Sequence, residues 1–275
     1  MAALHIHYGS GGIAVNYKII VDSCGELTYK MKKSGVYETA SLSMEVDGDI
    51  IVDDETFDQA DFLRRVAASP ECPKSSCPSP ERYMELYEGS EERVYAVTLS
   101  SELSGSYNSA ELGRKLWIEE HGSGKQIYVF NSRSASVGET LIGLKIQECE
   151  EAGMDFEQTV STVEEYIESQ HTYFVLENLD TLRKNGRLTG IKSFVASALN
   201  IKPVMGSTPE GTICQLGQAR GMKKALAKIC GAPAVHLLSL YHFSSVNSSL
   251  SYVFCIYPDF RRYTAAGRIS DSTII

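Results

Sequence analysis

Hydroxyl groups collect at four places in this sequence where a strand or a loop runs into a helix. Asp22-Ser23 lies just past the first apolar run, and Lys74-Ser75-Ser76-Cys77-Pro78-Ser79-Pro80 leads into a helical stretch. Thr98, Ser100, Ser101, Ser104 and Ser106 follow a second run, and Asn131, Ser132, Arg133, Ser134 and Ser136 follow a third. A serine hydroxyl donates a hydrogen bond without adding charge, and a helix N-terminus adds free N–H groups and the positive end of its dipole. That combination suits a carboxylate or a phosphate. Taken singly, each serine reads first as the cap of its own helix. Four such loops tilt the reading toward a shared anion site, because ligands of open parallel sheets bind beyond the carboxyl ends of the strands.

Cations enter later in the chain. Gly186-Arg187-Leu188-Thr189 ends a helix, and Gln218-Ala219-Arg220-Gly221 opens one. A guanidinium can donate two parallel hydrogen bonds to a carboxylate or phosphate. Lys223 and Lys224 serve equally well as a solvated basic face.

The elements that must position these loops follow from hydrophobic spacing and turn residues. Lys18 to Val21 reads as a short buried strand and Val94 to Leu99 and Gln126 to Phe130 as further strands, alternating with helices as parallel βαβ units do. Helices are expected at Thr56 to Ala68, where Thr56 and Gln59 have capping-box spacing, from Ser79-Pro80, up to about Trp117, and over Ala135 to Glu151. Asp155 caps a further helix with Val160, Val163 and Ile167 on one face, and Ser41 to Val52 forms a hairpin turning at Asp47-Gly48. From Tyr173 the style changes. Tyr173 to Leu176 is a strand, and Asn178 to Asn185 and Ile191 to Leu199 are helices. Ile201 to Met205 faces Thr212 to Leu216 across a turn at Pro209 to Gly211, and Arg220 to Cys230 is a basic amphipathic helix. The expected fold is α/β in two domains, with a boundary near His171. Residues 17–171 form a parallel-sheet α/β domain and residues 172–275 an α+β domain with a largely antiparallel sheet, the ligand lying between them.

Composition narrows the function classes. The 275 residues are 43% hydrophobic and 22% charged, enough apolar mass for a sizeable core, and the net charge of -9 repels nucleic acid. Seven cysteines without a CxxC pair fit neither a disulfide framework nor a zinc site, so reduced thiols and no metal are expected. Met1 to Asn16 lacks the pattern of a signal peptide. Residues 231–258 carry no charge, but six serines, Asn247, His236 and His242 make a membrane-spanning helix costly, so two strands and a loop are expected there. The nucleophile elbow, the zincin helix motif, the complete phosphate loop and the dinucleotide fingerprint are all missing. Gly122-Ser123-Gly124-Lys125 is a turn, and Asp47, Asp49, Asp53 and Asp54 make a polar hairpin edge.

The same loops make the chain resemble the DegV family, the fatty-acid-binding proteins that serve bacterial fatty-acid kinase. The matching segments are Asp22 to Leu27, Lys74 to Pro80, Thr98 to Ala110, Asn131 to Gly138, Leu179 to Gly190, Asn200 to Met205 and Gln218 to Leu226, in the family's order. The resemblance implies a fatty acid held between two α/β domains, with its tail in an apolar tunnel. It implies that Ser75, Ser76, Ser100 and Ser101 bind the carboxylate and that Arg187 lies near the headgroup. The full ligand-binding set expected is Ser75, Ser76, Thr98, Ser100, Ser101, Ser104, Arg187, Asn200 and Arg220. It further implies a cytoplasmic, non-catalytic subunit with no cofactor, which presents a palmitate- or oleate-like acid to a partner kinase for acyl-phosphate formation. Transient contact with a membrane surface is compatible with that role; a transmembrane segment and nucleic-acid binding are not expected. After residue 230 the resemblance fades.

Two rival readings stay open. A phosphotransferase or hydrolase acting on a small phosphorylated molecule would use the serine loops on a phosphate, and would turn over alone. A regulator would change its affinity for a partner when lipid binds.

Overall fold

The computed structural model describes residues 16–176, 179–188, 200–230, 239–245 and 249–256. The chain opens with β1 (Tyr17–Asp22), α1 (Tyr29–Lys33), β2 (Tyr37–Ala40), β3 (Ser43–Val46) and β4 (Asp49–Val52). Then come α2 (Gln59–Ala68), β5 (Lys74–Ser76), α3 (Pro80–Tyr87), β6 (Arg93–Thr98) and α4 (Ser106–His121). These lead to β7 (Gln126–Asn131), α5 (Val137–Glu151), α6 (Phe156–Ser169), β8 (His171–Val175) and α7 (Asp180–Lys184). The last described elements are β9 (Ile201–Ser207), β10 (Ile213–Arg220), α8 (Met222–Cys230), β11 (Ser239–Ser245) and β12 (Ser249–Ile256).

Three sheets result. The first is parallel, in the order β2-β1-β6-β7. Its central strands are buried on both faces, as their unbroken apolar runs require. Ile19, Val21, Tyr95, Val97 and Phe130 pack on one side with Leu141, Ile142 and Ile146 of α5 and Val163 and Ile167 of α6. Ile20, Val94, Ala96, Ile127 and Val129 face the other way, onto Tyr83 and Tyr87 of α3 and Ala110 and Trp117 of α4. The second sheet is antiparallel, in the order β10-β9-β8-β12-β11, and draws all its strands from residue 171 onward. The third, β4-β3-β5, is a small antiparallel sheet covered by Phe62 and Val66 of α2. Helix α5 lies against β1 and β6 and also against β12, so it stands between the parallel and five-stranded sheets.

Several elements depart from the spacing argument. Helix α2 starts at Gln59, capped by Asp58, whose carboxylate accepts from Asp61 N at 2.9 Å, so Thr56 and Gln59 do not form the expected box. Asp58 wins because its side chain reaches the free N–H, while Thr56 is held by Asp54. Helix α5 starts at Val137, since Ser136 sits at φ 57. Arg220 ends β10 instead of opening a helix; it pairs with Ile201, and Gly221 at φ 80 then turns the chain into α8. β2, β5 and α1 have no counterpart in the sequence reading. β5 is three polar residues that become a strand by pairing with β3, Ser76 opposite Ser43 and Ser75 opposite Met44. Residues 231–258 do supply two strands, β11 and β12, and among the described residues no helix is long and apolar enough to cross a membrane. Asn178 and the helix expected at 191–199 lie outside the described residues.

Candidate ligand site at the strand ends

The strand order places β2 on one side of β1 and β6 on the other, so the loops leaving β1 and β6 diverge and open a crevice between them. Asp22 stitches its floor. Its carboxylate accepts from Cys24 N at 3.0 Å and, across the crevice, from Leu99 N at 2.8 Å. Burial raises the Asp22 pKa, and these two N–H donors pull it back down.

Above that floor three segments converge. The Arg187 guanidinium donates to Leu103 O at 3.2 Å and to Ser75 Oγ at 3.3 Å, joining α7's exit, the loop after β6 and strand β5. Ser101 is held from the neighbouring strand end: Asn131 Nδ2 donates to Ser101 Oγ at 2.8 Å, and Ser101 N donates to Asn131 Oδ1 at 3.1 Å. A hydroxyl that accepts through its lone pair keeps its proton free to donate onward. Arg187, Ser75 and Ser101 therefore supply a fixed cation and hydroxyl donors around one loop, which is a carboxylate's requirement.

A family profile described as an uncharacterised protein of the DegV family matches residues 16–237. The chain belongs to the DegV family. A DegV domain-containing protein of Streptococcus pneumoniae is 34% identical over 216 residues, covering 77% of this chain and 75% of the relative. Among solved structures, a DegV family protein of Ruminococcus gnavus with vaccenic acid is 51% identical, with a TM-score of 0.82, covering 88% of this chain and 100% of that one. The Fatty Acid Kinase (Fak) B3 protein of Streptococcus pneumoniae, loaded with linoleic acid, is 26% identical, with a TM-score of 0.75 and coverage of 88% and 100%.

In this DegV chain the sequence-derived set divides. Ser75, Ser101 and Arg187 come together as described, and Ser76 is exposed beside Ser75 on β5. Ser104 pairs with Ser106 at 3.1 Å at the start of α4. Thr98 is fully buried and donates to Phe130 O at 3.2 Å across the sheet. Ser100 is equally buried; its hydroxyl donates to Gly211 O at 2.9 Å, tying the turn between β9 and β10 to the parallel sheet. Asn200 and Arg220 lie at the opposite end of that hairpin from Gly211, roughly 20 Å away at about 3.3 Å per residue. Asn200 O accepts from Gly221 N at 2.7 Å there.

Two cavities flank the crevice. One of about 510 Å³ is lined by Lys32 and Arg82 together with Glu38, Asp53, Asp54 and Glu55. The other, of about 190 Å³, is lined by Ser132, Arg133, Gln170, His171, Thr172 and Thr208. Their linings are rich in polar groups, and neither includes Ser75, Ser101 or Arg187.

Sequence reasoning missed Asn131 as the partner of Ser101, and it missed Glu139. The latter is buried in the first turn of α5, and burial together with the Asp22 carboxylate pushes its pKa well up. One signal was available: Glu139 is the only charged residue between Val137 and Leu144.

Proposed function

We propose that this DegV chain binds a long-chain fatty acid, holds its carboxylate where Ser75, Ser101 and Arg187 meet, and presents it to a partner kinase in the cytoplasm. The observation that carries the reading is the span of Arg187 from Leu103 O to Ser75 Oγ, beside a Ser101 held by Asn131. A single cation with neighbouring hydroxyl donors matches one carboxylate. The fatty acids carried by the Ruminococcus gnavus and Streptococcus pneumoniae proteins support the same class of ligand. Each methylene removed from water contributes ~0.8 kcal/mol, so a long acyl chain would dominate affinity while the polar group sets orientation.

Organic extraction of the purified protein followed by mass spectrometry should release a long-chain acid, and the delipidated protein should take up palmitate or oleate. An empty protein that takes up neither acid sinks the proposal. Ser101→Ala should weaken uptake by about 1.5–3 kcal/mol, the value of a hydrogen bond to a charged group. With ATP and a fatty-acid kinase, acyl phosphate should form only when both proteins are present; turnover by this chain alone would favour the phosphotransferase reading.

A further inference from the structure

Beneath the proposed carboxylate site lies a group of side chains that fatty-acid binding does not use. Asp22, Cys24 and Glu139 each offer one ligand-type atom, and the three atoms lie within 4.8 Å of one another. Asp22 is 1% exposed and Glu139 is fully buried. Two backbone N–H groups orient the Asp22 carboxylate. Neither Glu139 oxygen meets a donor in hydrogen-bonding geometry. Tyr83 on α3 is a second, separate sign. It has no exposed surface, its hydroxyl makes no hydrogen bond of full geometry, and burial, with the Asp22 and Glu139 carboxyls nearby, pushes its pKa well up. Among the described residues, neither carboxyl has an ion-pair partner.

Two carboxyls taken out of water, with a partly buried thiol beside them, need a proton or a cation to balance them. The three ligand-type atoms converge closely enough for one ion to bridge them. A sulfur ligand discriminates among ions: calcium and magnesium take oxygen, whereas zinc and its neighbours accept thiolate with carboxylate. We propose that Asp22, Cys24 and Glu139 form a site for a borderline divalent cation of the zinc class. Such an ion would tie the loop after β1 to α5 at the base of the crevice, next to the loop that carries Ser101. Its role would be structural, since no group of the proposed carboxylate site belongs to it.

The test uses the full chain after chelator treatment and dialysis, titrated first with Co²⁺ and then with Zn²⁺. The expected result is one ion per chain, with sulfur-to-cobalt charge-transfer absorption in the near ultraviolet. Cys24→Ser should abolish that absorption. Glu139→Gln, a neutral side chain of the same shape that should fold readily, should lower Zn²⁺ affinity by about tenfold or more. Absence of stoichiometric uptake overturns the proposal. So does uptake whose spectrum and affinity are the same in both variants, since the ion would then sit on other cysteines or histidines.

Discussion

Helix α5 buries a glutamate near each end and treats the two differently. Glu150, beside the amino ends of the strands, accepts from the Tyr95 hydroxyl at 2.5 Å and pairs with Arg93 at 3.0 Å. Glu139, at the carboxyl ends, makes no hydrogen bond of full geometry and, among the described residues, no ion pair. Lys18 repeats the first pattern, reaching Leu86 O at 3.0 Å, Glu88 O at 2.7 Å and Glu38 at 3.0 Å. The amino edge of the parallel sheet is thus closed, each buried charge matched within the fold. The carboxyl edge carries unmatched polar groups, as an edge that meets ligands must.

The largest expected effect tests the closed edge. Glu150→Ala leaves Arg93 and the Tyr95 hydroxyl without their partner and should cost about 2–3 kcal/mol in urea unfolding at neutral pH, near the low end for a broken buried pair because Arg93 is partly exposed. Glu139→Gln in chelator-treated protein should not destabilise at neutral pH and should raise stability, because the cost of keeping this buried acid protonated is removed. Equal losses in the two variants would erase the distinction between the edges.

Next comes the ligand side. Arg187→Met should lower palmitate affinity by roughly tenfold or more, the value of a charge-assisted contact, with little effect on folding. Fluorescent fatty-acid displacement measures it, and unchanged affinity would remove Arg187 from the headgroup.

The smallest effect is on pH dependence. Burial raises the pKa values of Asp22, Glu26, Glu139 and Glu150. The folded chain therefore keeps protons that unfolded carboxyls, titrating near 4, have released. Such groups contribute stability that is complete below the unfolded pKa and is lost as pH rises through the folded one. Melting temperature of chelator-treated protein should thus rise as pH falls from about 7 toward about 5, and Glu139→Gln should flatten the slope. A slope of the opposite sign would mean that the buried acids are ionised and balanced in the native state.

What the sequence made legible follows the same division. Lys18 to Val21, Val94 to Leu99 and Gln126 to Phe130 could be read because a strand covered on both faces is written as an unbroken apolar run. Asp155 could be read as a cap because the box with Gln158 is local. β5 could not, since Lys74-Ser75-Ser76 is a strand only by virtue of β3. In the site, residue type was legible and partnership was not. Ser100 and Ser101 are adjacent and chemically identical, yet one hydroxyl donates to Gly211 and the other faces Asn131. Only the fold distinguishes a hydroxyl that holds the structure from one with a proton to offer.

The Ser100–Gly211 contact joins the five-stranded sheet to the parallel one. Gly211 sits at φ 95, and a Cβ there would strike Ser100 Oγ and Arg133 Cα, so the hairpin tip docks into the strand-end loop as bare backbone. Ser101 is one peptide unit from that joint. Any tilt of the five-stranded sheet would be transmitted through it like a lever arm to the Ser101 hydroxyl.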